Sequence, residues 1–222
     1  MAFIYAISDI HGELEILKEV FNSLINNSLE KDKENKLILL GDYLDRSNLD
    51  TKILYYLKEL KEKYKNQIIV LMGNHEFMFL EDIQAGAIRC DNKTTIDWIK
   101  SLPFYYETDT QIFVHAGIDE EAGEYWKWGS EDYYYCSKYP HTIGKFDKDI
   151  IAGHIHTSEI VKDKNYFKVF WDKQNHFYID GTTEISKFIP VLKYDTTTKR
   201  YSSFEKVLKE DSLFSWFEYI IK

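Results

Sequence analysis

The chain has 222 residues, and 28 Lys and Arg residues against 37 Asp and Glu residues give it a formal net charge of −9 at pH 7. Hydrophobic residues make up 44% of the sequence, which is typical of a folded globular protein and excludes an intrinsically disordered chain. The negative charge argues against non-specific binding to nucleic-acid backbones. Two cysteines, Cys90 and Cys136, provide no disulfide framework, so we expect a reducing, cytoplasmic environment.

The N-terminal segment, residues 2–7, is apolar but lacks the basic start of a targeting sequence, and Asp9 and His11 follow almost at once. No stretch approaches the roughly 20 apolar residues that a membrane span requires. We therefore expect no association with a membrane.

The first half of the chain alternates between two apolar patterns. Short apolar runs predict buried strands at residues 2–7, 37–40 and 68–72. Apolar residues at helical spacing predict helices over residues 14–25, 53–60, from about 76 onward, and 95–102. This alternation is typical of a layered α/β domain with a largely parallel sheet.

The second half is richer in strand patterns. We predict strands at residues 111–115, 149–152, 166–171, 176–179, 188–194 and 200–207, with turn residues between several of them. The C-terminal strands over residues 166–207 are expected to complete a two-sheet sandwich. The apolar and aromatic tail, at about residues 211–222, predicts a docked helix. We expect residues 1–222 to form a single domain.

Polar side chains follow five successive predicted strands, at the point where each strand ends. Because ligands of open α/β sheets bind beyond the carboxyl ends of the strands, we expect these side chains to converge. In chain order, the five clusters contain Asp9 and His11; Asp42, Asp45 and Arg46; Asn74, His75 and Glu76; His115; and His154 and His156.

The converging groups form a mixed set of nitrogen and oxygen donors without a thiolate, which suits Mn, Fe or Zn. They are numerous enough for two ions if one carboxylate is shared, and Asp42 in the middle of the set is the natural bridge. Taken singly, Asp42 and Asp45 could be loop or capping residues and His75 a surface histidine. Five clusters in this order make coincidence the poorer explanation. The candidate ligands are Asp9, His11, Asp42, Asn74, His115, His154 and His156.

The motifs between residues 8 and 157 resemble those of the calcineurin-like metallophosphoesterase superfamily, with an echo at residues 179–181. The Asp45-Arg46 pair and Glu76 are similar to its phosphoprotein-phosphatase branch, which includes bacterial Ser/Thr phosphatases and diadenosine tetraphosphatases. The resemblance implies a four-layer α/β/β/α sandwich of two mixed sheets flanked by helices.

The resemblance also assigns the metal ligands between two divalent cations, with Mn²⁺ the first choice and Fe or Zn as alternatives. Asp42 would bridge both cations. The first would be bound by Asp9, His11 and His156, and the second by Asn74, His115 and His154.

Three further residues receive catalytic roles from the resemblance. His75 would be the general acid, Asp45 would orient it and favour its protonated form, and Arg46 would bind the phosphoryl oxygens. Asn74 would contact substrate as well as metal. Trp128 is a candidate substrate contact within an aromatic segment between His115 and His154, which is otherwise interpreted as a packed cap over the core.

The sequence departs from the phosphatase branch at three places. Ser47 replaces the glycine of the usual Asp-Arg-Gly motif, and Ile155-His156 stands where many phosphatases carry threonine. Residues 126–130 lack the second phosphate-binding arginine, and Lys127 or Lys145 could substitute only as a point charge.

The activity that the resemblance implies is hydrolysis of phosphate monoesters by direct attack of a hydroxide that bridges the two cations. The substrate would be a phosphoprotein or a small phosphorylated metabolite. Hydrolysis of a phosphodiester or a dinucleoside polyphosphate stays open because of His156 and the aromatic segment. A metal-free interaction scaffold is the non-enzymatic alternative. The physiological substrate, the metal identity and the oligomeric state are left open by the sequence.

Overall fold

The computed structural model describes residues 2–45, 51–90, 92–128, 130–208 and 214–222. Most of these residues belong to strands or helices. The strands are β1 (Phe3–Ile7), β2 (Lys36–Leu39), β3 (Ile68–Val70), β4 (Tyr105–Glu107), β5 (Gln111–Val114), β6 (Asp149–His156), β7 (Phe170–Trp171), β8 (His176–Asp180), β9 (Leu192–Asp195), β10 (Arg200–Leu208) and β11 (Phe214–Ile220). The helices are α1 (Leu14–Val20), α2 (Asn26–Lys31), α3 (Lys52–Tyr64), α4 (Asn74–Gln84), α5 (Lys93–Lys100), α6 (Asp132–Ser137), α7 (Thr157–Val161) and α8 (Thr183–Ser186).

The strands form two mixed sheets. The first has the order β11-β10-β9-β1-β2-β3, and the second has the order β4-β5-β6-β8-β7. Strands β1, β2 and β3 are parallel, as are β5, β6 and β8, while the outer strands pair antiparallel. Helices flank the sheets, so the expected α/β/β/α sandwich is confirmed.

Both faces of β1 are buried, because successive side chains of a strand point to opposite sides of the sheet. Tyr5 and Ile7 lie in a core with Leu17 of α1, whereas Ile4 and Ala6 lie in the core between the two sheets. A third core covers the other face of the second sheet and includes aromatic residues of the segment after β5. This double burial explains why β1 and β2 appear in the sequence as continuous apolar runs.

Most predicted elements are confirmed in type and place, with shifts at their ends. The helix predicted over residues 14–25 runs on to Lys31, and a π-helical turn (Phe21–Ile25) joins α1 to α2. The run at 166–171 forms only the two-residue strand β7, and the run at 188–194 becomes β9 from Leu192. Strand β4 and helices α6, α7 and α8 were not expected.

The helix predicted at about residues 211–222 is wrong. Residues 214–220 form β11, which pairs antiparallel with β10 from Leu208–Phe214 to Ser202–Ile220. Aromatic and β-branched residues are strand formers when a neighbouring strand offers an edge, and Trp216 reaches the helix-side core from this position. Residues 211–213 of the predicted helix lie outside the described residues.

Among the described residues, no helix combines the length and apolar character needed to cross a membrane.

Candidate metal centre

The parallel strands of both sheets direct their carboxyl ends toward one cavity of about 240 Å³. Asp42 comes from the first sheet, just beyond β2, and His154 comes from β6 of the second sheet. The candidate residues from the two sheets therefore meet, as the sequence predicts. The cavity is lined by Asp9, His11, Asp42, Asp45, His75, His154, His156, Asp180 and Glu184.

Four candidate ligands at the cavity share a strained backbone conformation with a positive φ. Asp9, His11, Asp42 and His154 adopt φ values of 53°, 46°, 55° and 66°, a region that non-glycine residues visit at a cost of about 1–3 kcal/mol each. Gly73 makes room for this arrangement, because a Cβ atom there would lie 2.2 Å from the backbone nitrogen of Asp42. The strained backbone therefore coincides with four of the candidate metal ligands.

One group of donors has the geometry of a cation site. His115 Nε2 lies 2.9 Å from Asn74 Oδ1 and 3.3 Å from Asp42 Oδ1. His154 Nδ1 lies 3.0 Å from the same Asn74 oxygen. Donors bound to one ion at about 2.1 Å are spaced about 3 Å apart, so these four residues fit a shared cation. They are the residues expected around the second cation.

A second group meets on the other side of Asp42. The ligand atoms of His11, Asp42 and His75 lie within 4.8 Å of one another, and Asp9 Oδ1 lies 3.8 Å from His11 Nε2. The structure thus brings the proposed acid His75 into contact range of the first cation position, with its Nε2 3.7 Å from Asp42 Oδ2. This position suits a divalent cation because it offers two carboxylates and imidazole nitrogens as ligands.

His156 lies at the edge of the same cavity. Its Nε2 is 3.6 Å from Oδ2 of Asp180, a buried carboxyl group at the end of β8. A place for Asp180 near the site was only hinted at by the motif echo at residues 179–181. The assignment of His156 to the first cation stays a prediction.

Glu76 has a structural role that the sequence did not predict. Its fully buried carboxylate accepts hydrogen bonds from the backbone N–H groups of Asp42, Tyr43 and Leu44 at 2.9, 2.8 and 3.0 Å, and from Gly73 at 3.2 Å. Burial, followed by the charge of Asp42, raises the pKa of Glu76 to about 7. Glu76 therefore ties the loop after β2 to the N-terminus of α4.

Charges within the cavity perturb the ionisation of the candidate ligands. Burial raises the pKa of Asp42, but the neighbouring His115, His75 and His11 outweigh it and hold that pKa below its usual range. Burial lowers the pKa of His115, yet Asp42 raises it to about 9. Burial and the charge of His115 lower the pKa of His154 to about 4. Acidic and basic side chains lie close together here, so each pKa is raised or lowered according to the charges of its neighbours.

His75 is held by the backbone as well as by the cavity. Its Nδ1 lies 3.0 Å from the carbonyl oxygen of Leu44, which fixes the ring and leaves Nε2 facing the cavity. Burial lowers the pKa of His75, although the charge of Asp42 opposes it. This differs from the expectation that a neighbouring carboxylate would favour the protonated form. Asp45 lines the cavity beside His75, and its orienting role stays a prediction.

The remaining site candidates lie elsewhere or outside the described residues. Arg46 and Ser47 lie outside the described residues. Trp128 is 75% exposed and is not part of the cavity lining among those residues. Lys127 forms an ion pair with Glu107 instead of facing the cavity. Trp126, by contrast, is buried in the third core, as a packed cap requires.

Comparisons with known proteins relate this chain to phosphoesterases and phosphatases. The sequence profile described as calcineurin-like phosphoesterase matches residues 4–176. "Shewanella-like protein phosphatase 2" of Arabidopsis thaliana is 39% identical over 82 residues, which cover 34% of this chain and 21% of that protein. "Serine/threonine-protein phosphatase 6 catalytic subunit" of Caenorhabditis elegans is 33% identical over 87 residues, 38% of this chain and 24% of that protein. The matched segments thus span less than a quarter of these relatives.

A solved structure shows the same fold over nearly the whole chain. A protein serine/threonine phosphatase from Saccharomyces cerevisiae with similarity to human phosphatase PP5 superposes with a TM-score of 0.56. The superposition covers 98% of this chain and 79% of that chain at 13% sequence identity. This likeness supports the four-layer architecture.

Proposed function

This chain belongs to the calcineurin-like phosphoesterase family, and from that premise we propose that it is a metal-dependent phosphatase that hydrolyses phosphate monoesters. The family is one of hydrolases acting on phosphate esters at a dinuclear divalent metal centre. The observation that carries the proposal is the convergence of Asp42, Asn74, His115 and His154 at cation-ligand spacing. A phosphoprotein or a small phosphorylated metabolite is the proposed substrate.

Two groups of residues would hold the cations, with Asp42 common to both. His115, His154 and Asn74 surround one position, and Asp9 and His11 face the other. Carboxylate and amide oxygens mixed with imidazole make Mn²⁺ the first choice, with Fe or Zn as alternatives. When bound, two such ions lower the pKa of water and offset the negative charge of the phosphoryl oxygens.

The side chains around the cations would position the substrate and move a proton. His75 donates its Nδ1 hydrogen to Leu44, so Nε2 carries a proton only in the imidazolium form. That proton would pass to the leaving oxygen of the ester, a contribution of roughly 10²–10⁴ in rate. The same proposal includes two assignments made from the sequence. Asp45 would orient His75, and Arg46 would donate hydrogen bonds to the phosphoryl oxygens.

A second candidate function is hydrolysis of a phosphodiester or a dinucleoside polyphosphate. The observation that favours it is His156, which lines the cavity beside the metal candidates. The monoester proposal is preferred because Asp45-Arg46 and Glu76 match the phosphatase branch, as do the names of the relatives above.

A substrate panel with Mn²⁺ would separate these functions. We expect a phosphopeptide or an alkyl phosphate to be hydrolysed with a kcat/KM at least tenfold above that of a diester or a dinucleoside polyphosphate at equal metal concentration. The opposite order would favour the second candidate. Absence of turnover and of bound metal would favour the metal-free scaffold.

The proposed setting is the cytoplasm. Both cysteines are free, Cys136 is buried, and burial raises the pKa of its thiol well above the usual range, as suits a protein that relies on no disulfide.

A further inference from the structure

The first sheet ends in a strand whose outer edge is open. β11 (Phe214–Ile220) is the last strand in the order of that sheet, and no described strand pairs with its outer side. Just beyond β11, the backbone N–H of Ile221 bonds to the carbonyl oxygen of Tyr201 in β10 at 2.8 Å. Because backbone groups alternate in direction along a strand, the N–H and C=O groups of every second residue from Phe214 to Ile220 point away from β10.

The side chains along this edge are apolar on both faces of the sheet. Phe214, Phe217 and Ile220 are 63%, 59% and 61% exposed, and Val207 and Leu208 of the neighbouring β10 are exposed as well. Natural proteins usually protect an edge of this kind with charged residues, proline or a covering element, because a bare apolar edge pairs with other chains. β11 contains no proline and a single charged residue.

That charged residue, Glu218, is compensated within its own sheet. Its Oε1 lies 2.9 Å from Lys193 Nζ of β9 and accepts a hydrogen bond from the Ser202 hydroxyl of β10 at 2.6 Å. Glu218 therefore does not protect the edge in the way that an unpaired charge would.

A second copy of the chain matches this edge when the two strands run antiparallel about a two-fold axis at Phe217. Phe214 then lies opposite Ile220 of the second copy, and Trp216 lies opposite Glu218 of the second copy. Every outward N–H and C=O group between residues 214 and 220 meets a partner in this register. The exposed apolar side chains are also covered by apolar side chains.

Other registers are poorer. A shift by two residues in one direction places Glu218 opposite its own copy, and like charges directly opposite each other are destabilising. The same shift in the other direction leaves Ile220 without a partner in β11. A shift by one residue sets outward backbone groups against groups that already point to β10. Charge and backbone pairing therefore select one register.

We propose that β11 pairs with β11 of a second copy of this chain in that register, so that two six-stranded sheets join into one continuous sheet across a two-fold axis. Phe217 meets its own copy there in a pair without mutual hydrogen bonds, in which side chains approach most closely. One pair of strands buries less surface than a standard interface, so we expect a Kd in roughly the micromolar range. The inference does not depend on the proposed activity.

The test is analytical ultracentrifugation of the chain from about 1 µM to about 1 mM. The wild type should pass from monomer to dimer over this range. Phe217→Lys and Phe217→Glu each place like charges opposite each other and should raise the Kd by about 10-fold or more. An equimolar mixture of the two variants should restore the dimer, because lysine then faces glutamate. Ile143→Lys, at a position that is 57% exposed and outside β10 and β11, is the matched control and should dimerise like the wild type.

Hydrogen exchange gives a readout that contact between side chains alone would not produce. The amides of Trp216 and Glu218 point outward, so their exchange should slow as the wild-type concentration rises and the dimer forms. The amide of Phe217 points to β10 and should change much less.

Three outcomes would overturn the inference. A wild type that stays monomeric throughout the range would show that the edge does not pair with itself. Undiminished dimerisation of both Phe217 variants would place the interface elsewhere. A mixture that stays monomeric, although both variants retain the Tm of the dilute wild type, would contradict the axis at Phe217. None of these results bears on metal binding or turnover, so the proposed function would stand in each case.

Discussion

At the scale of single residues, Asp42 is the side chain on which both donor groups depend. Its Oδ1 accepts the backbone N–H of His75 at 2.9 Å and lies 3.3 Å from His115 Nε2, while its Oδ2 faces His75 Nε2 at 3.7 Å. The two oxygens of one carboxylate therefore face different sides of the cavity. This arrangement allows the carboxylate to contribute to both cation positions.

The role of His75 can be tested separately from metal binding. We expect His75→Asn to lower kcat on an alkyl phosphate by roughly 10²–10⁴, because its leaving oxygen needs a proton. An activated aryl phosphate should be affected much less, since its leaving group needs little protonation. The measurement is kcat for both esters with saturating Mn²⁺, with His141→Asn as a control histidine outside the cavity lining. Full activity of His75→Asn on the alkyl phosphate would contradict the assignment.

The gathering of the candidate residues could largely be predicted from the sequence, because their motifs end successive strands. The contact between His75 and the Leu44 carbonyl could not, since a backbone acceptor leaves no trace in residue type. Glu184 was missed for another reason. It lies in a four-residue helix after β8, and only the arrangement of the two sheets brings it to the cavity.

At the scale of secondary-structure elements, the buried carboxylate of Glu76 links the loop after β2 with the start of α4. Four backbone N–H groups converge on it, and α4 carries Asn74 and His75 on its first turn. The positions of the bridging carboxylate, one ligand of the second cation and the proposed acid are thus coupled through a single side chain. A hydrogen bond to a charged acceptor is worth about 1.5–3 kcal/mol.

This coupling predicts a large effect of a small change. Glu76→Gln retains one carbonyl oxygen but turns an amide N–H₂ group toward backbone donors, so we expect a loss of about 2–4 kcal/mol in the free energy of unfolding. Metal affinity should fall as well, and Glu76→Asp should recover only part of either loss. Urea unfolding of the metal-free protein would measure the effect, with the exposed Glu81→Gln of the same helix as control. Equal stability of Glu76→Gln and Glu81→Gln would refute the coupling.

The C-terminal segment shows why a residue pattern alone could not decide between a helix and a strand. Residues 214–220 carry aromatic residues at spacings that fit a helix or a strand, and the sequence alone gave no reason to prefer the strand. The deciding factor is β10, whose edge offers backbone partners along the whole length of β11. That edge exists only because β9 returns to pair antiparallel with β1, a long-range contact that local patterns do not encode.

At the scale of the whole molecule, the candidate centre lies where two sheets meet. Asp9, Asp42 and Asn74 follow strands of the first sheet, whereas His115 and His154 belong to the second. The core between the sheets holds these two halves together, so cation binding and packing of the sandwich should support each other. The layered α/β class and the strand-end site followed from the alternation of apolar patterns. The strand order followed only from the structure.

The most direct test of the central claim is the number of cations bound per chain. The wild-type protein, loaded with Mn²⁺ and freed of excess metal, should retain two ions by elemental analysis. The Asp42→Asn variant should lose affinity for both and show no turnover, because the shared carboxylate contributes to each position. A wild type that retains no ion, or an Asp42→Asn variant that retains both with undiminished affinity, would contradict the account.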